Sequence, residues 1–238
     1  MMAKRPTVGQ AKTRLAPPLS AEQAASLYAC FLNDTLALVR QVPGVQAAIA
    51  YWPANEHQYF SQLAKDFELL PQAGADLGAR LDHTLAHFFQ QGCRYAVVMD
   101  SDSPTLPAAY LRAAFRQLED GAEVVLGPCD DGGYYLIGMK RPFPRLLREV
   151  RMSTPSVMAD TLALAVQAGV QVSLLPAWYD VDDLFSLERL AGELSHGPPE
   201  TARHTRQFLQ EQGLLASLTQ APSGEEPGLS NEDTAGDL

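Results

Sequence analysis

Apolar positions along the chain recur in two rhythms. Over residues 20–40, 77–91, 107–120, 154–168 and 183–194 they return every three to four places, the period of a helix with one buried face. Shorter runs at 45–51, 67–70, 95–99, 123–127, 134–139 and 171–175 are nearly continuous or alternate, as strands do. Ser20 followed by Gln23 reads as a capping box, Asn55 as the cap of a short helix to residue 66, and Pro107 as a helix start. Gly92 ends the helix before it, and residues 199–212 are expected to form a last helix. Strands separated by helical patterns predict β-α-β units, hence an α/β chain folded as a three-layer α/β/α sandwich on a mostly parallel sheet. A single domain is expected over residues 1–215, followed by a disordered acidic tail over 221–238 that lacks core residues.

Composition narrows the function. The chain has 238 residues, 46% hydrophobic and 19% charged, enough to bury a core without metal or disulfide staples. No run of 18 apolar residues predicts a membrane span, and the basic start lacks the apolar stretch of a secretory signal. The formal net charge is −10, and about half of it sits in the tail, which holds acids and no base. An acidic body argues against nucleic acid as a partner, since that affinity comes from neutralising phosphates. Lys4, Arg5, Lys12 and Arg14, however, all precede the first acid, Glu22, and such a local cluster suits a small polyanion. The three cysteines, Cys30, Cys93 and Cys129, show no zinc spacing and fit reduced thiols in a cytoplasmic protein.

Four motifs can carry chemistry. The apolar run 95–99 leads straight into Asp100-Ser101-Asp102-Ser103-Pro104. Two carboxylates at i and i+2 on a strand end can reach one hard cation, or form an Asx turn before the next helix. Asp180-Val181-Asp182-Asp183 is a second acidic turn, in which Asp183 is equally suited to capping the helix after it. Cys129-Asp130-Asp131-Gly132-Gly133 is a turn between two strands, and its glycines would also admit a ligand close to the backbone. The basic loop around Gly9, Lys12 and Arg14 is not a Walker A loop; a glycine-containing loop with cations can clasp phosphates, but taken by itself a solvated basic terminus is the simpler reading. Arg80 enters a helix after Gly74 and is either a ligand contact or a helix-start charge. His83 and His87 share a helix face but have no third ligand, so packing is the simpler reading.

Taken in order, these motifs resemble the nucleotide-diphospho-sugar transferase superfamily, with its glycosyltransferase-A-like fold. Within it they are similar to a bacterial family of largely uncharacterised transferases, some named arsenosugar-biosynthesis glycosyltransferases. The resemblance runs through A-K-x-P-x-x-G-x-x-K-T-R-L at 3–15, Ala-Asp-Leu-Gly at 75–78 where the family has G-D-L-G, D-S-D-x-P at 100–104, G-P-x-x-D-G-G-Y-Y-L-I-G at 127–138, and D-V-D at 180–182. Residues 12–17 are distantly similar to the start of phospholactate guanylyltransferases. The resemblance implies that Asp102, with Asp100 as its partner and Asp182 from the other side, holds Mg²⁺ or Mn²⁺. It implies that Lys12 and Arg14 meet the nucleotide phosphates and, with Asp102, form the catalytic set. Lys4, Gly9 and Asp100 would border the nucleotide, and Asp131, Gly132 and Gly133 the donor or acceptor. The implied partners are a nucleotide sugar or a nucleoside triphosphate and a small-molecule acceptor.

One departure stands out. Family members lead into A-K-x-P with an apolar strand, whereas here only Met1 and Met2 precede Ala3. The first strand is therefore expected to be missing and the sheet weakened, through a misplaced start codon or in a decayed copy. Three functions follow for testing: glycosyl transfer from a nucleotide sugar, nucleotidyl transfer from a triphosphate, and nucleotide binding without catalysis.

Overall fold

The structure is a computed structural model and describes residues 1–220; the expected tail over 221–238 lies outside the described residues. Its strands are β1 (Met2–Lys4), β2 (Ala48–Trp52), β3 (Glu68–Pro71), β4 (Ala96–Met99), β5 (Val124–Pro128), β6 (Tyr134–Met139) and β7 (Val172–Leu174). Between and after them lie α1 (Ala21–Val39), α2 (His57–Leu63), α3 (Leu77–Gln90), α4 (Ala108–Glu119), α5 (Arg145–Arg148), α6 (Val157–Gln167), α7 (Leu184–His196), α8 (Arg203–Glu211) and α9 (Leu214–Gln220). The capping box forms as the spacing requires: Ser20 Oγ accepts from Gln23 N, and Gln23 Oε1 accepts from Ser20 N. Pro107 stands one place earlier than expected, as the residue before α4 rather than its first. Asn55 caps nothing; it lies in a 3₁₀ turn that precedes α2.

Helices cover both sides of the strands. On one side Leu27 and Phe31 of α1, Leu111 and Leu118 of α4 and Leu187 of α7 pack on Ile49, Val125 and Leu136. On the other, Leu81 and Leu85 of α3, Leu146 of α5 and Ala165 of α6 pack on Val98, Leu126 and Ile137. The expected three-layer α/β/α sandwich is thus present, and β4 and β5 are near-continuous apolar runs because both their faces are buried.

The strands form two hydrogen-bonded sheets. One is β1-β2-β3, all parallel; the other is β4-β6-β5-β7, in which β6 alone runs antiparallel to its neighbours. The first strand expected to be missing is therefore formed over three residues. Met2, Ala3 and Lys4 align with Ala50, Tyr51 and Trp52, and Ala3 is buried in the core. A run this short leaves no apolar period to read. A cavity of about 530 Å³ is lined by Met1, by Ala48 and Ala50 of β2 and by residues 96–98 of β4.

Candidate functional site

In open α/β sheets ligands gather beyond the carboxyl ends of the strands. Here the ends of β1, β2, β3 and β4 open into a cavity of about 800 Å³. Its walls carry Lys4 and Arg5 after β1, Trp52 at the end of β2, Gln72 after β3, and Asp100, Ser101 and Asp102 after β4.

The β4 end is shaped by its first carboxylate. Asp100 Oδ1 accepts from Asp102 N at 3.1 Å, so the Asx turn and the pair of strand-end carboxylates coexist. Asp102 O in turn accepts from Val181 N at 2.9 Å. That single backbone bond draws the second acidic turn alongside β4 and brings Asp182 beside Asp102. Asp183 does the other job open to it: its Oδ1 accepts from Ser186 N at 2.9 Å and caps α7.

Lys12 reaches into this meeting point. Its Nζ stands 2.6 Å from Asp102 Oδ1 and 2.6 Å from Asp182 Oδ1, and its side chain is only 5% exposed. The rings of Tyr28 and Phe31 lie 5.8 and 5.7 Å from the ammonium. Its backbone is left-handed, with φ of 49°, a conformation that costs a non-glycine residue roughly 1–3 kcal/mol and that persists where the surroundings demand it. Burial disfavours the charged amine, but the two carboxylates outweigh burial and raise its pKa. Asp100 has no such partner, and burial, then the charge of Asp102, push its carboxyl well above the usual range. Tyr28 ties the floor together. Its hydroxyl accepts from Lys4 N at 3.1 Å and is hydrogen bonded to Ser101 Oγ at 2.8 Å.

The other expected residues are distributed unevenly. Arg14 lines the cavity from the turn after Lys12 and is exposed. Arg80 also lines it, with its guanidinium 4.1 Å above the Trp52 ring. Gly9 is exposed, outside the residues that line the cavity. Asp131, Gly132 and Gly133 likewise stand outside that lining, in the β5–β6 turn. There Asp131 Oδ1 accepts from Gly133 N at 2.8 Å, and ligand atoms of Cys129, Asp131 and Asp180 lie within 4.8 Å of one another. Tyr28, Trp52, Gln72 and Ser153 line the cavity without having stood out in the sequence. Trp52 was open to discovery as the residue directly after the apolar run 45–51, the place where α/β ligands sit.

The donor set suits a hard divalent cation. Carboxylate oxygens from the end of β4 and from the turn before α7 converge on one point, and that point already holds a cation, the Lys12 ammonium. Asp102 and Asp182, with Asp100 behind them, are the residues that would hold the metal.

Comparison with known proteins agrees with this geometry at the level of family and fold. Residues 35–154 match the family described as "Uncharacterized protein conserved in bacteria (DUF2064)". The chain belongs to this family. The DUF2064 match contains Asp100, Asp102 and the double-glycine turn, while Lys12, Arg14 and Asp182 lie outside it. A solved structure from Desulfovibrio desulfuricans G20, provisionally named a nucleotide-diphospho-sugar transferase, is 30% identical with a TM-score of 0.84, over 91% of this chain and 96% of that one. A cytidylyltransferase from Leptospira borgpetersenii serovar Hardjo-bovis (strain JB197) shares the fold at 12% identity, with a TM-score of 0.57 over 94% of this chain and 97% of its own. Comparison with curated proteins finds no significant match. This DUF2064 member thus has the fold of the nucleotide-diphospho-sugar transferase superfamily. Among its described residues no helix is long and apolar enough to cross a membrane.

Proposed function

We propose that this chain is a divalent-cation-dependent transferase that uses a nucleotide-activated donor, and that it transfers a glycosyl group from a nucleotide sugar to a small acceptor. The observation that carries the reading is the convergence of Lys12, Asp102 and Asp182 at the mouth of a cavity built from the carboxyl ends of four strands. Arg14 and Lys12 take the phosphates, while Trp52 with Arg80 stacked on it forms an aromatic and cationic wall beside them. Mg²⁺ or Mn²⁺ on Asp100, Asp102 and Asp182 would neutralise charge on the departing diphosphate. The provisional name of the Desulfovibrio structure supports the nucleotide-sugar donor.

Nucleotidyl transfer from a triphosphate is the second reading. It is favoured by the number of cations on one cavity, since Lys4, Arg5, Lys12, Arg14 and Arg80 all line it and a triphosphate brings more charge to clasp. A thermal-shift screen of nucleoside triphosphates against nucleotide sugars, with and without Mg²⁺, separates the two. A ligand raises stability by mass action, so the true donor gives the largest Mg²⁺-dependent shift. Asp102→Asn should abolish that shift while leaving the unliganded melting curve cooperative. A Mg²⁺-dependent shift of wild-type size in the variant would remove Asp102 from the cation site.

A further inference from the structure

We propose that Lys12 is a built-in counter-ion that keeps the divalent-cation site closed until the nucleotide arrives, and that its ammonium moves from the two carboxylates onto the incoming phosphates. The inference rests on the reading of this cavity as a cation and nucleotide site. It is carried by the position of one atom. Lys12 Nζ is 2.6 Å from Asp102 Oδ1 and 2.6 Å from Asp182 Oδ1, so it sits on the same two carboxylates that the proposed cation site uses. Direct ligation of Mg²⁺ takes place at roughly 2.0–2.1 Å, so ammonium and metal compete for one space as well as repelling by charge.

The rest of the site lets this lysine change partners. Lys12 sits on the loop between β1 and α1 rather than within a helix, on a flexible four-carbon stem with a point charge at its end. Its ammonium lies 5.8 and 5.7 Å from the rings of Tyr28 and Phe31 and meets two carboxylates that are 34% and 48% exposed. An ammonium on a side chain that is only 5% exposed needs another anion if it abandons the two carboxylates, and phosphate supplies it. Without phosphate the lysine stays and the cation is excluded. With phosphate the carboxylates are freed together, so cation and nucleotide bind cooperatively, each strengthening the other by the same factor.

The test uses Mn²⁺ alone, titrated into the full chain without nucleotide and followed by electron paramagnetic resonance. Lys12→Gln and Lys12→Met, each shown to unfold cooperatively, should bind Mn²⁺ at least tenfold more tightly than wild type. In wild type, reductive methylation of Lys12 followed by mass spectrometry should be slow without metal and faster once Mn²⁺ fills the site. Affinities within twofold of each other, or Mn²⁺ saturation that leaves Lys12 methylation unchanged, would overturn the counter-ion role while the cation site stands. If neither wild type nor the variants bind Mn²⁺, the cation site and the counter-ion role fall together.

Discussion

A methyl group added at Gly132 would stand 2.0 Å from Pro155 O, on a backbone whose φ is +88°. Gly132 O also accepts from Met158 N at 2.9 Å, in the first turn of α6, so neither partner can move away freely. Gly132→Ala should therefore lose at least about 2 kcal/mol of unfolding free energy in urea. A loss below about 0.5 kcal/mol would mean that the turn repacks cheaply. Asp180, close by, makes a separate prediction. Burial, and then the charge of Asp182, push its carboxyl from the ordinary 3.8 to about 6. The folded chain then holds a proton that the unfolded chain has released, so this group's contribution to stability falls as pH rises from about 4 to about 6 and stays lower above. The whole shift corresponds to roughly 3 kcal/mol, which partial exposure of the side chain reduces to about 1–2 kcal/mol. Urea unfolding at pH 4 and pH 7, with chelator present, should show that extra loss in wild type and not in Asp180→Asn. Equal pH slopes in the two proteins would contradict the raised pKa.

At the scale of elements, α1 joins the ends of two strands that do not pair with each other. Its Tyr28 hydroxyl holds the Lys4 amide after β1 and Ser101 Oγ after β4. Tyr28→Phe leaves the part-buried Lys4 N–H and the buried Ser101 hydroxyl without this partner, a loss of roughly 1–3 kcal/mol. Melting should fall by several degrees, and an unchanged melting curve would show that water replaces the hydroxyl at no cost. This link also marks the limit of what the sequence discloses. β4, β5, α1 and α3 were legible because each is long enough, or apolar enough, to show its period, and Asp100 and Asp102 were legible because they end such a run. β1 was not, since three residues with a lysine among them carry no period. Tyr28 did not stand out, because a core tyrosine and one that holds two strand ends look the same in a helical pattern. The two acidic turns could be named separately, but their meeting depends on one bond, Val181 N to Asp102 O, across 79 positions of chain. Lys12 was expected to point at phosphates; its placement between the carboxylates follows from that meeting and not from its own motif.

At the scale of the whole molecule, the cavity is a seam. Trp52 and Gln72 belong to the side of the fold built on β1-β2-β3, while Asp100, Asp102 and Asp182 belong to the side built on β4-β6-β5-β7, and Arg80 reaches onto Trp52 from α3, which packs on β4. No ladder joins β1 to β4 among the described residues, and residues of both β2 and β4 line the 530 Å³ cavity. Backbone amides opened by local fluctuation exchange with solvent in proportion to how easily their unit opens. The β1-β2-β3 unit has a three-residue edge strand at the seam, whereas β5 lies between two ladders with all its apolar side chains buried. Hydrogen exchange should therefore be faster at residues 2–4 and 48–52 than at 124–128 and 134–139. A nucleotide that stacks on Trp52 and reaches the carboxylates after β4 bridges the seam, so nucleotide with Mg²⁺ should slow exchange at residues 2–4 and 48–52 most. Equal protection of the two sheets in the free protein would mean that packing across the seam, through Tyr28 and the α1 core, already couples them as firmly as a ladder would. Slowing confined to β4 and the loop after it would mean that the nucleotide rests on one side of the seam, and the wall of Trp52 and Arg80 would then have no part in holding it.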